Sequence, residues 1–207
     1  MSTILSGTYE THHPSFVVPS EPVWQLSVEQ YHEMIRTGIL TEDDPVELLD
    51  GWLVTKMPKK RTHSIATGRT REMLAAVAPV GWYVDAREPI TLSRSEPEPD
   101  VLVVRGDRAQ YPDAPPGPED VALIVEVADS TLRRDRTTKK RLYAEAGIPI
   151  YWIVNLIDRQ IEVYRNPSGP AEDPDYDSPR YCRLGEHVPL VIEGREVASI
   201  AVADMLP

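Results

Sequence analysis

Two carboxylates occur in this chain where carboxylates are seldom found. Val121-Ala-Leu-Ile-Val-Glu-Val127 is apolar at six of its seven positions, and the exception is Glu126. Such a run reads as a strand buried on both faces. An unpaired buried carboxylate costs several kcal/mol, so Glu126 needs a cation beside it or must give up its charge. Upstream, Pro99-Asp100-Val-Leu-Val-Val104 opens on an acid and then runs apolar. Two acids on two core strands can converge at one end of a sheet. Oxygen ligands of that kind suit Mg²⁺.

The next stretch must position a partner for these acids. Asp129-Ser-Thr131 can start a turn or cap a helix that ends at Gly147. Asp135, Lys139 and Tyr143 lie four apart and share one face of that helix. One reading is a surface Asp135–Lys139 ion pair with an amphipathic tyrosine. The other turns Lys139 toward Asp100 and Glu126. Ile150-Tyr-Trp-Ile-Val-Asn-Leu156 is a further core strand, and a helix between it and the Glu126 strand makes the two parallel neighbours. Arg159 to Tyr164 alternates polar and apolar, which predicts a hairpin partner with one face toward solvent.

The remaining elements follow from local signals. Ser27-Val-Glu-Gln30 has capping-box spacing and opens a helix to about Thr37, ended by Gly38. Asp50-Gly51 is a turn signal before a strand at Trp52 to Met57. Thr62 can cap a helix to about Ala78, with Ile65, Met73, Leu74 and Val77 in its apolar stripe and His63 in its first turn. Trp82 to Val84 and Pro89 to Leu92 read as short strands. Proline-rich loops cover 106–120 and 166–180, and short strands follow near Tyr181 to Leu184 and Val188 to Ile192. A last segment, Ile200 to Met205, reads as helical. Residues 1–22 hold three prolines and little periodicity, which predicts a disordered N-terminal arm with His12-His13 as an unstructured polar pair. Residues 23–207 then form a single domain.

Composition bounds the function. With 41% hydrophobic and 27% charged residues, the 207-residue chain is ordinary globular material. Its one cysteine, Cys182, excludes an intrachain disulfide and a cysteine-built metal site. No signal-peptide pattern and no run of membrane length stands out, so the expected location is cytoplasmic with no membrane partner. The net charge of −11 argues against general nucleic-acid binding. The distribution is uneven, however. Residues 56–71 hold six basic residues and no acid, and residues 133–141 hold six with Asp135 the sole acid. These runs are either solvated helix faces or a local phosphate-binding surface.

Pro99-Asp100 followed by Glu126-Val-Ala128 resembles the PD-(D/E)XK nuclease pattern. The long run from Asp129 through Lys139, Tyr143 and Gly147 to Val154 is similar to the Uma-two family of restriction-endonuclease-like proteins, as are Glu47-Leu-Leu-Asp-Gly51 and His63. The resemblance spans roughly residues 24 to 165. It implies an α/β (α+β) fold, a restriction-endonuclease-like mixed central sheet flanked by helices. It further implies a Mg²⁺-dependent endonuclease acting on DNA, with Mn²⁺ as a substitute ion and a homodimer compatible with the fold. Asp100, Glu126 and the backbone carbonyl of Val127 would be the metal ligands. Glu47 would be a further functional acid, and His63 would bind phosphate or position a water. The lysine usual in the PD-(D/E)XK superfamily, two residues past the glutamate, is replaced here by Ala128, which can neither donate a proton nor stabilise charge. Lys139 matches the family's lysine on the following helix and would compensate. The alternative is a catalytically degenerate nuclease fold acting as a nucleic-acid-binding or regulatory module.

Overall fold

The three long apolar runs, at 101–105, 121–128 and 150–155, assemble into one sheet, and two hairpins lie outside it. In the computed structural model, which describes residues 23–41, 43–112 and 114–207, the chain begins with α1 (Val28–Arg36) and a hairpin of β1 (Val46–Leu49) and β2 (Trp52–Thr55). It continues through α2 (Arg61–Val77), β3 (Trp82–Asp85), β4 (Val101–Arg105) and β5 (Val121–Ala128). A short α3 (Leu132–Arg134), a π-helical turn (Asp135–Lys139) and α4 (Lys140–Glu145) form one continuous helical rod. β6 (Ile150–Asn155), β7 (Gln160–Arg165), β8 (Arg180–Arg183), β9 (His187–Ile192), β10 (Arg195–Ala201) and α5 (Val202–Met205) complete it. The expected arm at 1–22 and His12-His13 lie outside the described residues. Among the described residues, no helix is long and apolar enough to cross a membrane.

The central sheet is six-stranded in the order β3-β4-β5-β6-β7-β8. β5 and β6 are parallel, with the helical rod as their crossover, and every other neighbouring pair is antiparallel. This is the expected mixed sheet flanked by helices. All eight residues of β5 and all six of β6 are buried, because both faces are covered. α2, β9 and β10 pack on one face over Val125, Val127, Trp152 and Val154. The other face meets α4 through Leu142, Tyr143, Tyr151 and Ile153.

Several local expectations shift for identifiable reasons. The α1 capping box is present, with Ser27 Oγ accepting from Gln30 N–H. α2 starts one residue before Thr62, so Lys60 rather than Thr62 sits at its N-cap. Its buried face is carried by His63, Ala66, Thr67, Thr70 and Leu74, while Ile65 is exposed. Residues 89–92 form no strand. They close a loop on Ser95 and Pro97, in a segment whose prolines remove ladder donors. β7 does not present a solvent face: Glu162 is fully buried there and saturated with hydrogen bonds. β10 carries too few buried residues to announce itself, and it forms as the hairpin partner of β9.

The β1–β2 hairpin turns through Asp50 (φ 49°) and Gly51 (φ 80°), the left-handed pair a two-residue hairpin requires. Gly51 N–H donates to Arg94 O at 2.9 Å, and Glu96 N–H donates to Leu48 O at 2.8 Å, so the hairpin is tied to the approach to β4. A Cβ on Gly51 would stand 2.7 Å from Gln25 Cβ and 3.1 Å from Leu26 O. Gly51→Ala should therefore cost about 1–3 kcal/mol, from positive φ and the clash together. Urea denaturation checks this, and an unchanged midpoint would contradict the turn geometry.

Candidate active site

Three elements deliver acids to one end of the sheet. The antiparallel register pairs Val101 with Val125, so Asp100 falls opposite Glu126. Asp100 Oδ2 accepts the Val127 backbone N–H at 2.9 Å, which locks the two strand ends together. Glu47 enters from β1. It is 2% exposed, and its Oε2 accepts the Glu98 N–H at 3.3 Å. It is an interior acid.

Lys139 reaches these acids from the π-helical turn. Its Nζ donates to Glu47 Oε2 at 2.8 Å and to Glu126 Oε1 at 3.0 Å, and the residue is 2% exposed. One helical turn on, the Tyr143 hydroxyl donates to the same Glu126 oxygen at 2.7 Å. Ala128 is buried on the Glu126 side of β5, among the apolar residues under α4. The cation missing from the strand is thus supplied by the helix above it. Asp135 shares this face but makes no ion pair with Lys139. Its Oδ2 accepts the Thr131 hydroxyl at 2.6 Å, and it lines the same cleft.

Asp100 has separate partners. Lys59 Nζ lies 2.8 Å from its Oδ1, and His63 Nε2 lies 3.1 Å from its Oδ2. His63 comes from the first turn of α2, with the Thr67 hydroxyl 3.4 Å from its Nδ1. Arg134 Nη1 stands 3.9 Å from Glu47 Oε1 at the rim. Lys59, Arg134 and Asp135 escaped sequence reasoning as site residues. The first two lay within basic runs. Asp135 carried a usable signal, its shared face with Lys139.

These contacts set the charges. Burial pushes Asp100 upward, but His63 and Lys59 outweigh it and hold the carboxyl at about 2. Burial raises Glu126, against the pull of Lys139 and with the repulsion of Asp100 and Glu47 added. Burial, then the Glu126 charge, carries Asp135 up to about 7. For Lys139, burial favours the neutral amine, yet Glu126 and Glu47 overcome it and hold the ammonium. Burial and Glu126 raise Tyr143 well above the usual phenol range, so it remains a donor.

Glu47, Asp100 and Glu126 offer only hard oxygen donors, the chemistry Mg²⁺ prefers over softer metals. Among the described residues, no three acidic or imidazole side chains already converge on one point. Lys139 stands between Glu47 and Glu126, and Lys59 and His63 flank Asp100. The donor types fit a divalent cation, and Lys139 and Lys59 are the cations that face them.

The basic runs divide. Arg136 pairs with Glu162, Lys140 with Asp175 and Arg141 with Asp50, so these three basic residues of 133–141 are engaged in ion pairs within the chain. In 56–71, Lys56 pairs with Glu98, and Lys60, at the cleft mouth with its side chain 67% exposed, with Asp129. Arg61 and Arg133 are exposed.

A mixed sheet with acids on adjacent strands and a lysine over them is a restriction-endonuclease-like arrangement. The chain belongs to the Uma2 family, whose model, described as "Putative restriction endonuclease", matches residues 28–202. Its fold is similar to a crystal structure titled as that of "a putative nuclease belonging to DUF820" from Anabaena variabilis. That likeness has a TM-score of 0.61 at 14% identity and covers 87% of this chain and 97% of the other. No curated protein matches the chain.

Asp135 makes the site's charge testable. An acid whose folded pKa is raised binds more protons when native, so it lowers stability as pH climbs from the unfolded value of 3.8 to about 7. Asp135→Asn keeps an acceptor for Thr131 and removes this penalty. In EDTA, the variant and wild type should match near pH 4, and the variant should be more stable by about 1 kcal/mol or more at pH 8. Parallel pH–stability curves would contradict the assigned burial.

Proposed function

We propose that the protein is a Mg²⁺-dependent endonuclease that hydrolyses phosphodiester bonds of DNA. The observation that carries this reading is the Lys139 ammonium, set between Glu47 and Glu126 beside a strand whose usual lysine is Ala128. Asp100, Glu126 and the Val127 carbonyl would hold the ion, with Glu47 adjacent. Mn²⁺ would substitute, since it accepts the same oxygen donors. When bound, Mg²⁺ supplies Lewis-acid polarisation of phosphate and lowers the pKa of water.

The chain's own residues do the rest. Lys139 places a fixed positive charge where negative charge grows on the phosphoryl group during hydrolysis. Tyr143 holds the Glu126 carboxylate in orientation through its hydroxyl. His63 orients Asp100, and this support for the acid favours a positioning role over direct phosphate binding. Lys60 and Arg61, at or near the cleft mouth and exposed, would meet backbone phosphates. The competing reading, a degenerate binding or regulatory module, draws on Ala128, the net charge of −11 and the internal pairing of the second basic run.

Two outcomes separate them. The purified chain should cut DNA with Mg²⁺ or Mn²⁺, and Lys139→Met should lower kcat by roughly 10²-fold or more. Lys140→Ala should act near wild type, because Lys140 bonds Asp175 at 2.7 Å away from the cleft. Mg²⁺ or Ca²⁺ should also raise the melting temperature of the wild type, and Glu126→Gln should abolish that rise. A wild type that shows neither metal-dependent cleavage nor metal-dependent stabilisation belongs to the module reading.

A further inference from the structure

The most heavily bonded acid in the described residues lies outside the cleft. Glu162 on β7 is fully buried. Its Oε1 accepts from Arg136 Nη2 at 2.6 Å and Asn155 Nδ2 at 2.8 Å. Its Oε2 accepts from Arg136 Nε at 3.0 Å and the Tyr164 hydroxyl at 2.8 Å. A carboxylate has about four lone-pair directions, so every one is used. The arginine contact is bidentate, the geometry that fixes orientation as well as distance. Asn155 is itself pinned, its Oδ1 accepting the backbone N–H groups of Ile157 and Asp158. Glu162 is therefore a rigid anchor on the β6–β7 hairpin.

Arg136 and Lys139 belong to the same π-helical turn. A π turn is wider than the 3.6-residue α turn, so residues three apart diverge further round the axis. One side chain can then reach β7 while the other reaches β5 and β1. A second tie acts from the sheet side. The Tyr151 hydroxyl donates to the Asp135 backbone oxygen at 3.1 Å, and that oxygen also accepts the Lys140 N–H that closes the π turn. A buried ion pair is weak evidence for stability, because desolvation offsets its attraction; what it can secure is one geometry among several.

We propose that Arg136 and Glu162 are positioning residues: their bidentate pair fixes the rotation of the π-helical turn so that Lys139 Nζ is delivered between Glu47 and Glu126. The placement of Lys139 is independent of what the cleft does. The consequence for catalysis rests on the nuclease reading.

The test uses the full chain without metal. A lysine ammonium buried between two carboxylates should give a slowly exchanging Nζ signal in ¹⁵N NMR, identified by its loss in Lys139→Met. Arg136→Lys keeps the charge but not the fork, and its side chain is 37% exposed, so this variant should fold. Glu162→Gln turns one acceptor into a donor facing Tyr164 and Arg136. Both should lose or broaden the Lys139 signal while the circular dichroism spectrum stays that of the wild type. An unchanged Lys139 signal in Arg136→Lys overturns the proposal, whatever Glu162→Gln does. In cleavage assays, Arg136→Lys should lower kcat by roughly tenfold or more with little change in KM, and add no further loss in a Lys139→Met background. Additive losses would mean that the pair acts otherwise than through Lys139. If the wild type cuts nothing, the nuclease reading fails, and the NMR arm still decides the positioning claim.

Discussion

One buried ammonium shared by two buried carboxylates organises this end of the molecule. Taking any of these groups out of water costs several kcal/mol, and only close, well-directed pairing recovers it. Lys139 meets Glu47 and Glu126 at 2.8 and 3.0 Å, with the Tyr143 hydroxyl completing Glu126. Removing the lysine would strand two acids, and removing one acid would leave the other to hold it. The arrangement therefore demands that three separate elements arrive together: β1 with Glu47, β5 with Glu126 and the π-helical turn with Lys139.

The scaffold meets that demand through layers of support. The Asp50-Gly51 turn folds β1 back so that Glu47 points inward. The parallel β5–β6 pair requires a crossover, and the crossover is the helix that carries the lysine. Beneath that helix, Tyr143, Tyr151, Tyr164 and Tyr176 pack ring against ring, with centroid separations from 5.1 to 6.2 Å. All four rings also use their hydroxyls, on Glu126, on the Asp135 carbonyl, on Glu162 and on the Ile148 carbonyl. Aromatic bodies fill the space between sheet and helix while their polar tips steer the charged groups.

The same economy of charge explains the basic runs. A strongly acidic chain has many carboxylates to satisfy, and arginines and lysines of 133–141 go to Glu162, Asp175 and Asp50. Positive charge at the mouth of the cleft comes mainly from the residues before and at the start of α2, with Arg134 at the rim. A linear count of basic residues could not separate the two runs, because an ion pair is a property of two positions far apart in the chain.

By itself, the sequence determined most of the element types and their order, though it promised a strand at 89–92 that does not form and held no sign of β10 or of the π-helical turn. Apolar runs with period two or none, the Ser27 cap, the Asp50-Gly51 turn and the Gly147 stop are local signals, and local backbone physics reads them directly. It also marked Asp100 and Glu126, since an acid inside an apolar run is anomalous whatever surrounds it. Only the tertiary structure decided which face met which. Lys139 lies inside and its neighbour Lys140 outside because the rod docks one way on the sheet, and Glu47 is 92 positions from the lysine that neutralises it. Glu162 looked like the polar side of an alternating strand, yet it is buried because Arg136 reaches across to it from the π-helical turn. Period and propensity act over a few residues, whereas burial of a charge depends on partners that only the packing of distant segments can bring within 3 Å.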